Sequence, residues 1–361
     1  MRRVIILGAT GSIGTTALDY IRKHRDQFSV EGIVANTSRD RLVSLSEEFS
    51  CRYLLMTEHN ESALDSFLLD IDSDIVLNGI AGSKGLYATV KSLESGKDVA
   101  LANKESVVMG GQLISELAKK LGRRIIPVDS EHSAIYHLLV HRNIRKLIIT
   151  ASGGPFIDRK NTEGITLSDA LRHPTWKMGR KISIDSATLA NKGLEVIEAS
   201  HLFGFGADDI DVVVHRQSVV HSMVYAEDGA IYAAMSPPDM THPIITALSD
   251  DHIHLSDVVQ PLDFSNMTLT FEKPDMDQFP LLALAYMALR KGGSYPIAYN
   301  AADEVAVNAF IEGTIPFSRI PSVVSSVMES DFSIEPHQYE EIMQIDHKAR
   351  ILASEALNCI S

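Results

Sequence analysis

The sequence predicts an α/β fold in three parts. Three observations predict it. Short, fully apolar runs alternate with helical patterns over the first third of the chain: Val4–Leu7, Val30–Ala35, Ile75–Ile80 and Val99–Ala102. That is how strands buried on both faces of a parallel sheet read. A glycine-rich turn, Gly8-Ala9-Thr10-Gly11-Ser12-Ile13-Gly14, follows the first run and opens a helix with Ile13, Ala17, Leu18 and Ile21 on one face. From Gln278 onward the pattern is helical throughout, which predicts a small bundle. The divisions read as 1–128, 129–262, a linker 263–277, and 278–361.

Composition narrows the function. The chain has 361 residues, 45% of them apolar, with 47 acidic against 33 basic side chains and a net charge of −14. Such a charge argues against a nucleic-acid partner and demands a local basic pocket for any anionic ligand. The two cysteines, Cys51 and Cys359, form neither a disulfide framework nor a zinc cluster. The apolar run at the N-terminus stops after four residues at Gly8, too short for a signal core. No stretch reaches membrane-spanning length. The expected setting is the cytoplasm, with no membrane partner.

In chain order, strand, glycine turn and helix give the context of a dinucleotide fingerprint, spaced G-x-x-G-x-x-G. Flexible glycines let the backbone approach a pyrophosphate, and the helix N-terminus stabilises its charge. The second strand ends in Asn36-Thr37-Ser38-Arg39 rather than in an acid. An acid there would select NAD; small donors and an arginine favour the 2′-phosphate of NADP. Arg39 reads equally as a solvated residue opening the helix Asp40–Phe49. Tyr87–Glu94 and Gln112–Leu121 read as helices. Between them the fourth strand runs into Asn103-Lys104-Glu105-Ser106, where ligands bind at the carboxyl end of a parallel strand. Asn103 is a candidate for the cofactor and Lys104 for a substrate anion or hydroxyl. A lysine at a helix start opposes the dipole, so it needs a reason to be there.

The strand Ile125–Val128 leads to Asp129-Ser130-Glu131. Two residues apart on an extended backbone, Asp129 and Glu131 point to one side. Two carboxylates aimed at one place suit a hard cation such as Mg²⁺ or Mn²⁺, while the pair by itself reads equally as a solvated turn after a strand. A helix Ala134–Val140 and a strand Lys146–Thr150 come next. Ser152-Gly153-Gly154 then makes a second glycine turn, able to wrap a phosphate or to be a plain loop. Arg172–Gly179 holds the single tryptophan, Trp176, with Met178 and no periodicity. It reads as a flap closing over a ligand or as an anchor on the core. Ile184–Glu195 reads as one helix with Ser186 near its start, and with Asn191, Lys192 and Glu195 on one face. Glu195 makes a third carboxylate for the cation. Val212–His215, Ser222–Tyr225 and Ile231–Met235 read as strands of a second sheet.

These motifs resemble those of the 1-deoxy-D-xylulose 5-phosphate reductoisomerase family along the whole chain. The segments that carry the likeness are GATGSIG, ALANKES, PVDSEH, ASGGPF, RHPTWKMGRKISIDSATLANKGLE, HRQSVVHSMV and PPDM. The resemblance implies a Rossmann-like NADP-binding domain, an α+β catalytic domain and a C-terminal helical bundle, as a homodimer. It implies that Thr10, Gly11, Ser12, Ile13, Asn103, Glu105 and Gly179 meet NADPH. Asn36, Thr37 and Ser38 stand where the family often has a Gly-Lys-Asn triplet, here without its lysine. Asp129, Glu131 and Glu195 are implied as metal ligands. Lys104, Ser130, Glu131, Ser152, His173, Ser186, Asn191, Lys192 and Glu195 are implied at the sugar phosphate, with Lys104, Glu131, His173 and Glu195 catalytic. Trp176 and Met178 fall in the flap. The implied reaction rearranges the substrate's skeleton by retro-aldol cleavage and re-addition. Hydride from NADPH then gives 2-C-methyl-D-erythritol 4-phosphate. A simpler NADP-dependent dehydrogenase would share the N-terminal half without needing three carboxylates. A non-catalytic NADP-binding regulator predicts loss of Asp129, Glu131, Glu195 or Lys104, and all four are present.

Overall fold

The structure, a computed structural model, describes all residues except 60, 177, 250–254, 256–257 and 360–361. It forms two compact units: Met1–Val107 with Gln112–Ser133 and Asp239–Pro261, and Val108–Gly111 with Ala134–Pro238 and Leu262–Ser361.

In the first unit, strands β1 (Arg2–Leu7), β2 (Phe28–Ala35), β3 (Arg52–Leu55), β4 (Ile75–Asn78), β5 (Asp98–Leu101) and β6 (Ile125–Pro127) build one sheet in the order β3-β2-β1-β4-β5-β6. Every pairing is parallel. This is the doubly wound dinucleotide-binding order. Helices α1 (Ser12–Lys23), α2 (Arg39–Phe49), α3 (Glu61–Asp70), α4 (Gly85–Glu94), α5 (Lys104–Leu121) and α6 (Ser130–Leu138) follow the strands in turn. Helices cover the apolar stretches of these strands: Val4, Ile6, Ala17, Leu18, Ile21 and Ile33 share one buried cluster. Ile244, Ile245 and Leu248 of a later helix, Thr241–Leu248, complete it. That helix, β3 and α3 carry no distinctive sequence signal.

In the second unit, β7 (Ile144–Ala151) leads through α7 (Leu167–Ala170), α8 (Arg180–Thr188) and α9 (Ala190–Phe203) to β8 (Ile210–Val214), β9 (Val220–Ala226) and β10 (Ile231–Met235). These strands form a mixed sheet, β10-β9-β7-β8, with β7 parallel to β8 and antiparallel to β9. After α10 (Thr241–Leu248), which belongs to the first unit, come α11 (Pro280–Lys291), α12 (Tyr295–Ile311), α13 (Ile320–Met328) and α14 (Tyr339–Cys359). Small alanines at 285, 288, 298, 301, 302, 306, 349 and 353 are buried in their common core, so these helices approach closely.

Two expectations are corrected. The residues 129–131 are not extended: α6 starts at Ser130, so Glu131 lies in a first helical turn. A carboxylate in that turn is favoured by the helix dipole. The segment 184–195 is not one helix. Leu189 sits at φ +57, between α8 and α9. Ser186 is therefore in the last turn of α8, and Asn191 in the first of α9. The Thr188 hydroxyl accepts from Ala190 N–H at 3.3 Å, satisfying a donor that the break exposes.

Candidate active site

The first glycine turn is shaped by backbone. Gly8 has φ +80, and a Cβ on it would stand 2.7 Å from the Gly79 carbonyl. Gly8 and Ala9 both donate N–H to Val34 O at 2.9 Å, tying the turn to β2. Gly11 and Ser12 are exposed at its tip, with Ile13 half-buried behind them. At the neighbouring strand end Asn36, Thr37 and Ser38 are exposed. Arg39 pairs with Glu58. Arg41, which sequence reasoning did not single out, donates to Thr10 O at 3.1 Å and to Thr15 Oγ1 at 2.9 Å.

At the end of β5, Asn103 caps α5. Its Oδ1 accepts from Ser106 N–H at 2.9 Å, and its Nδ2 donates to Glu105 Oε2 at 2.7 Å. Lys104 opens that helix against the dipole, and the structure supplies the compensation. Its Nζ lies 2.5 Å from Asp129 Oδ2, with the lysine side chain 7% exposed. Ser130 Oγ donates to Glu131 Oε2 at 2.5 Å. One carboxylate oxygen of Asp129 and one of Glu131 lie within 4.8 Å of each other. Asn103, Lys104, Glu105, Asp129, Ser130 and Glu131 are thus gathered at the carboxyl ends of β5 and β6.

The second unit gathers the remainder. The turn after β7 has Gly153 and Gly154 at positive φ, and a Cβ on Gly154 would meet Ser186 O at 2.6 Å. That approach sets the turn against the end of α8. His173 Nε2 is 3.0 Å from Ser152 Oγ and 3.1 Å from Ser186 Oγ. Its Nδ1 accepts the backbone N–H groups of Thr175 and Trp176, at 3.1 and 2.9 Å. An Nδ1 that accepts carries no proton, so the neutral ring is protonated at Nε2 and donates towards the serines. Burial lowers the ring's pKa from its ordinary 6.5 to about 4, which keeps it neutral.

At the start of α9, Asn191 Nδ2 donates to Glu195 Oε1 and Lys192 Nζ reaches Glu195 Oε2, both at 2.5 Å. Glu195 is 1% exposed and Lys192 4%. The flap expectation falls on a segment without regular structure. Trp176 and Met178 are half-buried and Gly179 is exposed, while Lys177 lies outside the described residues. The Trp176 ring lies 6.4 Å from that of His221, whose Nε2 is 2.9 Å from Ser236 Oγ. His221 was quoted above only within a motif; its place against the flap becomes visible in the fold.

Residues 4–111 match the family model for 1-deoxy-D-xylulose 5-phosphate reductoisomerase, residues 125–203 that for its C-terminal domain, and residues 235–352 a model described as the DXP reductoisomerase C-terminal domain. A 1-deoxy-D-xylulose 5-phosphate reductoisomerase of Treponema denticola is 48% identical over 367 residues, covering 98% of this chain and 96% of the relative. That of Thermodesulfovibrio yellowstonii is 42% identical over 382 residues, covering 99% and 100%. A crystal structure of DOX-P reductoisomerase in complex with NADPH, fosmidomycin and magnesium superposes with a TM-score of 0.92 at 36% identity, covering 100% of this chain and 99% of that one. The enzyme from Zymomonas mobilis in complex with NADPH gives 0.90 at 36%, covering 99% of each. With these likenesses running the length of both units, the chain belongs to the 1-deoxy-D-xylulose 5-phosphate reductoisomerase family.

Proposed function

We propose that this chain converts 1-deoxy-D-xylulose 5-phosphate into 2-C-methyl-D-erythritol 4-phosphate with NADPH and a divalent metal, in isoprenoid biosynthesis. What carries the reading is the likeness to a reductoisomerase over 98% of the chain, with Lys104, Asp129, Glu131 and Glu195 all present. A division of labour follows the sequence: 1–128 for the cofactor, 129–262 for catalysis, 263–277 as connection and 278–361 as helical support.

Asp129, Glu131 and Glu195 hold the cation. Three carboxylates are the oxygen donors that Mg²⁺ or Mn²⁺ takes, and the approach of Asp129 to Glu131 favours a positive charge between them. The bound metal supplies Lewis acidity at the substrate's ketone and hydroxyl oxygens. Thr10, Gly11, Ser12, Ile13, Asn36, Thr37, Ser38, Asn103, Glu105 and Gly179 would hold NADPH, which would supply the hydride.

The chain's own side chains do the rest. Ser152, Ser186, Asn191 and Lys192 take the phosphate. His173 donates its Nε2 proton to a serine oxygen, leaving that hydroxyl free to point its own hydrogen at the phosphate. Each unit holds a lysine–carboxylate pair at 2.5 Å, Lys104 with Asp129 in the first and Lys192 with Glu195 in the second. Within each pair the two charges offset one another. A phosphate at Lys192 and a cation at Glu195 would replace one internal pair by two external ones. Likewise, with Asp129 given to a cation, Lys104 would be available to a substrate oxygen, with Ser130 next in sequence to Asp129. Trp176 and Met178 close over the substrate and exclude water.

The finer setting is a homodimer in the cytoplasm. Among the described residues no helix is long and apolar enough to cross a membrane, and the partner is a small sugar phosphate. Oxidation of NADPH is followed with 1-deoxy-D-xylulose 5-phosphate, with Mg²⁺, after chelation, and after metal is restored. The proposal predicts loss on chelation and recovery on addition. Oxidation that survives chelation would favour a simple dehydrogenase, and binding of NADPH without any oxidation would favour a regulator.

A further inference from the structure

The NADP selectivity of this chain has no evident source at the expected triplet. Asn36, Thr37 and Ser38 carry no cation, and Arg39, the nearest arginine in sequence, is held by Glu58. The second arginine of α2 is placed differently. Gly8 and Ala9 are bonded to β2, and β1 pairs in register with it, Leu7 opposite Val34. The two turns leaving these strands are therefore neighbours. Arg41 spans them: it is anchored on α2 beyond the second turn, and its guanidinium lies on Thr10 O and Thr15 Oγ1 of the first.

We infer that Arg41 is the residue that reads the 2′-phosphate of NADPH. The inference rests on the NADPH-binding reading above and deepens it. In a doubly wound sheet the pyrophosphate sits on the glycine turn, and the adenosine ribose lies over the end of the second strand. A guanidinium between those two turns faces the 2′ position. Arg41 is exposed, so a phosphate reaches it without displacing a core contact. One donor on each terminal nitrogen is committed to Thr10 or Thr15, and the rest of the planar fork stays available for phosphate oxygens. The two anchoring bonds also fix the fork in advance, which lowers the entropy cost of binding. Ser38 supports the same end. It is the N-cap residue of α2 and its side chain makes no cap hydrogen bond, so its hydroxyl is not used by the helix. Arg39 needs release from Glu58 before it can help, and Asp40 in the same first turn opposes an anion. Arg41 therefore carries the larger share.

A purely structural role for Arg41, clamping the glycine turn, is separable. It would affect every nucleotide that uses the turn, whatever its 2′ substituent. The test is calorimetric binding of 2′,5′-ADP and of 5′-ADP to wild type, Arg41→Ala, Arg41→Lys and Arg39→Ala. The inference predicts that Arg41→Ala weakens 2′,5′-ADP roughly 10- to 100-fold, as expected for loss of a charge-assisted contact. It predicts that 5′-ADP stays within about twofold, that Arg41→Lys recovers part of the loss, and that Arg39→Ala does less than Arg41→Ala. The NADPH-to-NADH preference should fall in parallel. Equal weakening of both nucleotides by Arg41→Ala, or a larger loss from Arg39→Ala, overturns the assignment while leaving the NADPH reading intact. A wild type that binds 2′,5′-ADP no tighter than 5′-ADP overturns both.

Discussion

The molecule uses a glycine turn after a strand twice, and the two turns work in opposite ways. The turn after β1 runs straight into α1, so what it offers a ligand is backbone N–H groups and a helix N-terminus. The turn after β7 has no helix directly behind it. It approaches the end of α8 instead, and the polar groups there are the side chains of Ser152, His173 and Ser186. One is a generic cradle for an anion. The other is a specific arrangement of hydroxyls around a neutral histidine. Glycine spacing marks both turns in the sequence, whereas the side chains gathered at the second meet only in the fold.

Substitutions should separate the two. The largest effect is expected for Gly8→Ala, which puts a Cβ 2.7 Å from a backbone carbonyl at φ +80. It should lose about 2–4 kcal/mol of stability by denaturant titration, from strain and clash together. Gly96→Ala, at φ +77 with nothing within 4 Å, isolates the strain and should lose only about 1 kcal/mol. Equal losses would mean that the close approach of the first turn to Gly79 is unimportant.

Next, Ser186→Ala should raise the KM for the sugar phosphate roughly tenfold, through one lost hydrogen bond to a charged group. Its NADPH affinity should be unchanged. Ser12→Ala in the first turn should alter NADPH affinity by less than about threefold, because backbone carries that site. A large effect of Ser12→Ala with none of Ser186→Ala would reverse the comparison.

The remaining effect is the pH dependence of the second cradle. The folded pKa of His173 is depressed to about 4 by burial, from an ordinary 6.5. The unfolded chain therefore binds the proton more readily between those values, and His173 contributes stability above pH 6.5 that is lost as pH falls towards 4. His173→Gln should flatten this part of the stability profile measured by thermal melts from pH 4 to 7. An unchanged profile in the variant would mean that another group titrates there.

Much of this was readable in the sequence for stated physical reasons. Apolar strands and the Gly8–Gly14 turn gave the first sheet, because burial on both faces and close backbone approach leave local signatures. Lys104 was flagged because its charge opposes a helix dipole, and Asp129 answers it at 2.5 Å. The α8–α9 break was missed because Leu189 adopts φ +57 without being glycine; tertiary packing overrides its local preference. The helix Thr241–Leu248 was missed because a short apolar segment does not distinguish itself. The Ser152–His173–Ser186 cluster was invisible to spacing, since its members lie 21 and 13 residues apart and meet only in the fold. Resemblance to a family named those residues, while the structure supplies the histidine's tautomer.

The measurement that tests the account most directly is titration of Mn²⁺ into wild type, Asp129→Asn and Glu195→Gln, read by electron paramagnetic resonance. One tight Mn²⁺ per chain in wild type, weakened at least about tenfold in both variants, is the predicted result. Undiminished binding in Glu195→Gln would remove Glu195 from the metal and contradict the proposal that these carboxylates serve one cation.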